Sequence, residues 1–146
     1  MITKFEKYNE SLRDLMVGPT EEEVWNNIKD FPPNELLKKC IEIGFLKGIK
    51  LALKKDADIH INNDEPLRLA SENGHTEIVK LLLDKGADIH VHAEFSLQVS
   101  ALNGYIDIVE LLLDRGADIR KPLETSLKFK HMHVVELLKK YMKEND

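Results

Sequence analysis

The densest apolar block in the chain is Ile78, Val79, Leu81, Leu82 and Leu83, with Thr76-Glu77 before it and Asp84-Lys85 after it. On a helix these positions cover too wide an arc for one buried stripe, so the helix they predict needs cover on more than one side. Thirty residues on, the block returns as Ile108, Val109, Leu111, Leu112 and Leu113. Weaker copies stand at Ile49, Leu51, Ala52 and Leu53, and at Val134, Val135, Leu137 and Leu138. Ahead of Ile78, Leu67, Ala70 and Ser71 mark the narrow inner face of a shorter helix. Each unit reads as helix, tight turn, helix, loop. Stacked neighbours supply the missing cover.

The turns follow the same register. Lys85-Gly86-Ala87-Asp88-Ile89-His90 recurs as Arg115-Gly116-Ala117-Asp118-Ile119-Arg120, and earlier as Lys55-Asp56-Ala57-Asp58-Ile59-His60, spaced by 30 residues both times. Gly86 and Gly116 are placed to end the second helices in a left-handed conformation. Asp56 fills that slot in the first copy at a cost of roughly 1 kcal/mol. Asn73-Gly74 and Asn103-Gly104 end the first helices. Asp64 reads as an N-cap, and Pro66 is tolerated in the first turn that follows it. The last copy, Lys130-His131-Met132-His133-Val134-Val135, fits the frame with four residues removed from the preceding loop.

Residues 1–33 show no such unit. Phe5, Tyr8, Leu12, Leu15 and Met16 share one helical face, and Gly18-Pro19 breaks it. Thr20-Glu21-Glu22-Glu23 is a capping box opening a second short helix, with Val24, Trp25 and Ile28 available to pack. The segment either caps the raw end of the array or docks or dimerises through its first helix. The domain division expected is 1–33 as a helical cap and 34–146 as repeats, at about 34–55, 56–85, 86–115 and 116–146.

Pro66-Leu67, Gly74-His75 and Gly86-Ala87-Asp88 resemble the ankyrin repeat, and the likeness runs from about Asn34 to Tyr141. It implies an all-α solenoid of about four helix-turn-helix units that acts by binding another protein. Two departures stand out. The unit is 30 residues long rather than the usual 33, which clips the finger between repeats to a short loop. Glu65-Pro66-Leu67-Arg68 and Phe95-Ser96-Leu97-Gln98 replace the family's Thr-Pro-Leu-His, so its internal Thr–His hydrogen bond is lost. Thirty-residue units with Gly-Ala-Asp-Ile-His are further similar to ankyrin proteins of giant DNA viruses, which implies a viral protein with a host factor as partner. Relatives of that kind can recruit ubiquitin ligases through an added box, and no such box is visible here.

Bulk properties narrow the reading. A chain of 146 residues, 42% hydrophobic and 32% charged, buries one core without staples. The lone Cys40 excludes an internal disulfide and suits a cytoplasmic or nuclear site rather than a secreted one. Apolar runs stop at three residues, as at Leu81-Leu82-Leu83, so no membrane span is expected. Residues 31–55 hold six lysines and two acids, whereas residues 56–115 hold twelve acids and four bases. Residues 116–146 hold seven bases and five acids. The acidic middle disfavours nucleic acid and favours a partner with a basic patch.

No nucleophile motif, phosphate loop or metal cluster is visible, so neither enzymatic activity nor a cofactor is expected. His90 with His92, and His131 with His133, could share a side on extended backbone, but no third or fourth ligand accompanies them. His75 belongs to the Gly-His turn. Cys40 takes the small buried slot of Ala70 and reads as inert.

The face left for a partner is the outer side of the first helices with the loops before them. Glu65, Arg68 and Glu72 lie there at i, i+3 and i+7, opposite Leu67 and Ala70. Glu35, Lys38 and Glu42 are their counterparts one repeat earlier. Phe95, Gln98 and Leu102 follow one repeat later, then Lys121, Glu124 and Lys128. The loops add Asn62, Asp64, His92 and Glu94. Phe95 and Leu102 are apolar where their neighbours are polar, which marks either interface anchors or fillers beside a short loop. The competing class is a self-associating structural protein stacked end to end. The polar tail Lys139 to Asp146 argues for a monomer instead.

Overall fold

In the computed structural model, the described residues are 21–91, 94–128 and 131–144. They form helices only. The helix α1, Glu21–Ile28, leads into four pairs: α2 Pro33–Glu42 with α3 Leu46–Lys54, and α4 Ile61–Glu72 with α5 Thr76–Asp84. The third pair is α6 Phe95–Asn103 with α7 Ile106–Asp114, and the fourth α8 Arg120–Lys128 with α9 Met132–Glu144. First helices pack on first helices, α2 on α4 on α6 on α8, while α5, α7 and α9 stack behind them. This is the all-α solenoid of stacked helix pairs that the periodicity implies.

One core runs along the stack. Leu37, Leu67 and Leu97 from the first helices, and Ile49, Val79, Val109 and Val135 from the second, are buried at equivalent places. Leu82, Leu112 and Leu138 are fully buried as well, each worth about 1.5–3 kcal/mol in transfer from water. The wide apolar arc of α5 is accounted for by this packing, because it meets both its own first helix and α7. At the near end Ile28 of α1 is buried, with Trp25 and Phe31 packed against the same cluster. Through Ile28 and Trp25, α1 adds to the near end of the core. Phe5, Tyr8, Leu12, Leu15, Met16, Thr20 and the Val24 side chain lie outside the described residues.

The second helices end as their glycines demand. Gly86 and Gly116 have φ of +98° and +92°, and Asp56 holds the same slot at +63°. The Gly86 N–H donates to Leu83 O and the Ala87 N–H to Leu82 O, which closes the last turn in the six-to-one pattern. Each loop then tightens on its own aspartate. The N–H of His60 donates to Asp58 Oδ1 at 2.8 Å, that of His90 to Asp88 Oδ1 at 2.8 Å, and that of Arg120 to Asp118 Oδ1 at 3.0 Å.

Asp64 differs from its expected role as an N-cap. Asn62, Asn63 and Asp64 turn left-handed in succession, with φ of 51°, 58° and 54°, and no side chain caps α4. The Asp64 carboxylate points instead to the next repeat, where Oδ1 accepts the Asp88 N–H at 3.0 Å. His60 Nδ1 lies 3.0 Å from the same oxygen. Asn34 accepts the Asp58 N–H at 2.7 Å one repeat earlier, and Glu94 accepts the Asp118 N–H one repeat later. These three acceptors tie consecutive repeats together in place of the missing Thr–His bond.

Candidate protein-binding face

The outer side of α2, α4, α6 and α8 carries most of the expected site residues, and several are already engaged with one another across repeat boundaries. Lys38 Nζ donates to Glu65 Oε1 at 3.0 Å, and Asn62 Nδ2 to Glu65 Oε2 at 2.7 Å. Arg68 approaches the same carboxylate at 3.7 Å. These bonds, Asn62 first and Lys38 next, hold the Glu65 carboxyl below the usual glutamate range. The Arg68 guanidinium in turn lies over the Phe95 ring, 5.6 Å from its centroid. A line of paired side chains thus runs from Lys38 through Glu65 and Arg68 to Phe95, across three repeats.

Other expected residues divide by exposure. Glu72, Glu124 and Lys128 are exposed, and Gln98 and Leu102 are half-buried. Phe95 is half-buried under Arg68 and is therefore not a bare apolar patch. Asp64 and Glu94 are only 6% and 8% exposed, and both are used inside the array as repeat ties, so neither is open to a partner. His92 and the Lys121 side chain lie outside the described residues. His90 Nδ1 lies 2.8 Å from Glu94 Oε1, which occupies it structurally. Among the described residues no group of three or more His, Cys, Asp or Glu converges as a metal site.

Sequence reading missed a groove on this face between α2 and α4. It measures about 230 Å³, and Ile61, Pro66 and Leu69 form its floor. Asn34, Glu35 and Asn62 line it as well, and the Lys38–Glu65 pair borders it. The signal available in the sequence was Ile61, an apolar residue between His60 and Asn62-Asn63-Asp64, but only the approach of two helices brings it into a groove with Pro66 and Leu69. The groove is shallow and open rather than a closed catalytic pocket. No described helix is long and apolar enough to cross a membrane.

Comparison with known proteins agrees with the geometry. A family model described as ankyrin repeats (three copies) matches residues 8–93 and again residues 36–122. The match begins inside the segment ahead of Asn34, where the sequence shows no clear unit. No curated protein matches the chain. Proteins built from these repeats are generally protein-interaction modules and typically non-enzymatic scaffolds. With four stacked helix pairs, left-handed caps at Gly86 and Gly116, and a family match over well more than half its length, the chain belongs to the ankyrin-repeat proteins.

Proposed function

We propose that the chain is a recognition scaffold that holds a partner protein against the outer side of α2, α4, α6 and α8. The observation that carries this reading is the line from Lys38 to Phe95. Side chains that would otherwise lose rotamer freedom on binding are already fixed by each other, which lowers the ordering cost of association. The twelve acids against four bases in residues 56–115 support a partner with a basic contact patch. The likeness to giant-virus units supports a host protein as that partner, met in the cytoplasm or nucleus.

The test is affinity capture with the intact chain and with Arg68, Glu72 and Phe95 all changed to Ala. A protein retained by the first and lost by the second is then titrated between about 50 and 500 mM salt. Affinity falling with salt supports the basic patch. An affinity flat across that range removes it, and a captured protein indifferent to the triple change removes the face.

One observation favours the second reading, self-association. Leu127 is 50% exposed, although the equivalent Ile41, Ser71 and Ala101 are 0% exposed under the next repeat. Light scattering over a concentration series, with wild type and Leu127→Lys compared, separates a monomer from stacked copies.

A further inference from the structure

The α2–α4 groove is lined mainly by apolar surface, yet one carboxylate in its lining has no partner among the described residues. Glu35 stands in the first turn of α2 and lines the groove, and it makes no hydrogen bond or ion pair among the described residues. Its neighbour Glu65 is the opposite case, held by Asn62, Lys38 and Arg68 together. The first junction is open for an identifiable reason. At the next junction the counterpart of Glu65 is Phe95, whose ring lies half-buried beneath Arg68 and supplies apolar cover there. At the first junction Glu65 turns to Lys38 and Asn62, and Ile61, Pro66 and Leu69 are left as a floor for something else.

We infer that this groove takes an arginine side chain of the partner protein, its methylenes on Ile61, Pro66 and Leu69 and its guanidinium on Glu35. The inference rests on the scaffold reading above and names the chemistry that the scaffold selects. A purely apolar anchor would cover the floor but would also strip water from Glu35 without giving it a donor, which is costly. A short cation would reach Glu35 but leave the floor wet. A long basic side chain satisfies both, because its stem is hydrophobic and its head is charged. Arginine suits the site better than lysine, since its planar fork can place two N–H groups on one carboxylate and still offer donors to the Asn62 amide oxygen. Groove size agrees, as about 230 Å³ is room for one large side chain rather than for a folded segment.

The experiment selects linear peptides from a phage-displayed random library on the full-length chain. Binding of the leading peptide is then measured by calorimetry to wild type and to Glu35→Gln. Glu35 is a surface residue outside the core, and an unchanged thermal melt confirms that the variant is folded. The expected result is a shared arginine among the selected peptides. Affinity should fall about tenfold or more when that arginine becomes leucine, and by a similar factor in Glu35→Gln. The two changes combined should cost little more than either alone. Peptides that bind independently of arginine and of Glu35, but are lost when Arg68 and Phe95 become Ala, overturn the groove assignment and leave the scaffold standing. A library that yields no binder to the wild-type chain overturns both.

Discussion

Asp64 Oδ1 accepts the backbone N–H of Asp88 at 3.0 Å, and through it the entry of α4 is tied to the loop that opens the following repeat. The carboxylate is 6% exposed, so removing it strands a donor in a region with little water. Asp64→Ala should lower stability by about 1–3 kcal/mol in urea denaturation. Asp64→Asn should lose much less. Asn34 performs the same task with an amide oxygen at 2.7 Å, and asparagine tolerates the left-handed φ of 54°. Equal losses for the two variants would show that charge, and not the acceptor, is what matters.

Two glycines that both hold a positive φ, +75° at Gly74 and +98° at Gly86, should respond unequally to alanine. A Cβ on Gly74 would come within 2.9 Å of the Tyr105 ring at Cζ, whereas one on Gly86 would meet nothing within 4 Å. Gly86→Ala should therefore cost only the left-handed strain, about 1–2 kcal/mol. Gly74→Ala also carries left-handed strain and must in addition displace the Tyr105 ring of the next repeat. Thermal melts should rank Gly74→Ala clearly below Gly86→Ala.

Glu65 predicts a pH dependence on the acid side. Its folded pKa lies below the ordinary value because Asn62 and Lys38 bond the charged form. A depressed acid stabilises the fold above the unfolded pKa, near 4.3, and loses that contribution as pH falls through the folded value. The gap in melting temperature between wild type and Glu65→Gln should be full above the unfolded pKa and close as pH falls through the lower folded value. A gap that widens on acidification would contradict the pairing.

Cys40 should be silent until the chain opens. Its thiol is buried, and loss of hydration pushes its pKa up to about 12. Since only the thiolate attacks, a disulfide reagent at neutral pH should leave the native protein unlabelled and titrate one thiol in denaturant. The small slot is strictly filled: a Cβ on Gly48 would lie 2.4 Å from Cys40 Sγ.

Residues whose effect is local are legible in the sequence. The left-handed caps at Asp56, Gly86 and Gly116 follow from chain chemistry within one turn, and the double-sided cover of Leu82 and Leu112 follows from periodicity. The repeat ties were hidden for a physical reason. Asp64 and Glu94 are acids, which ordinarily face water, so they read as surface. Only stacking brings each to an N–H 24 residues downstream. A trace was present, since Asn34, Asp64 and Glu94 recur at spacing 30 and all can accept a hydrogen bond. The Arg68–Phe95 contact was equally out of reach, because the two residues share no helix and meet only where α4 and α6 abut.

The series of acceptors stops at the fourth repeat. Ser126 O accepts the His131 N–H as Ser100 O accepts the Tyr105 N–H, which sets Arg120 where Glu94 stands one unit before. A guanidinium has no lone pair to offer, and Arg120 turns back on Asp118 of its own loop. Any extra unit grafted behind α9 would arrive with its leading amide and find no oxygen waiting. Lengthening this array by design thus calls for a new carboxylate at 120 as well as an added pair of helices.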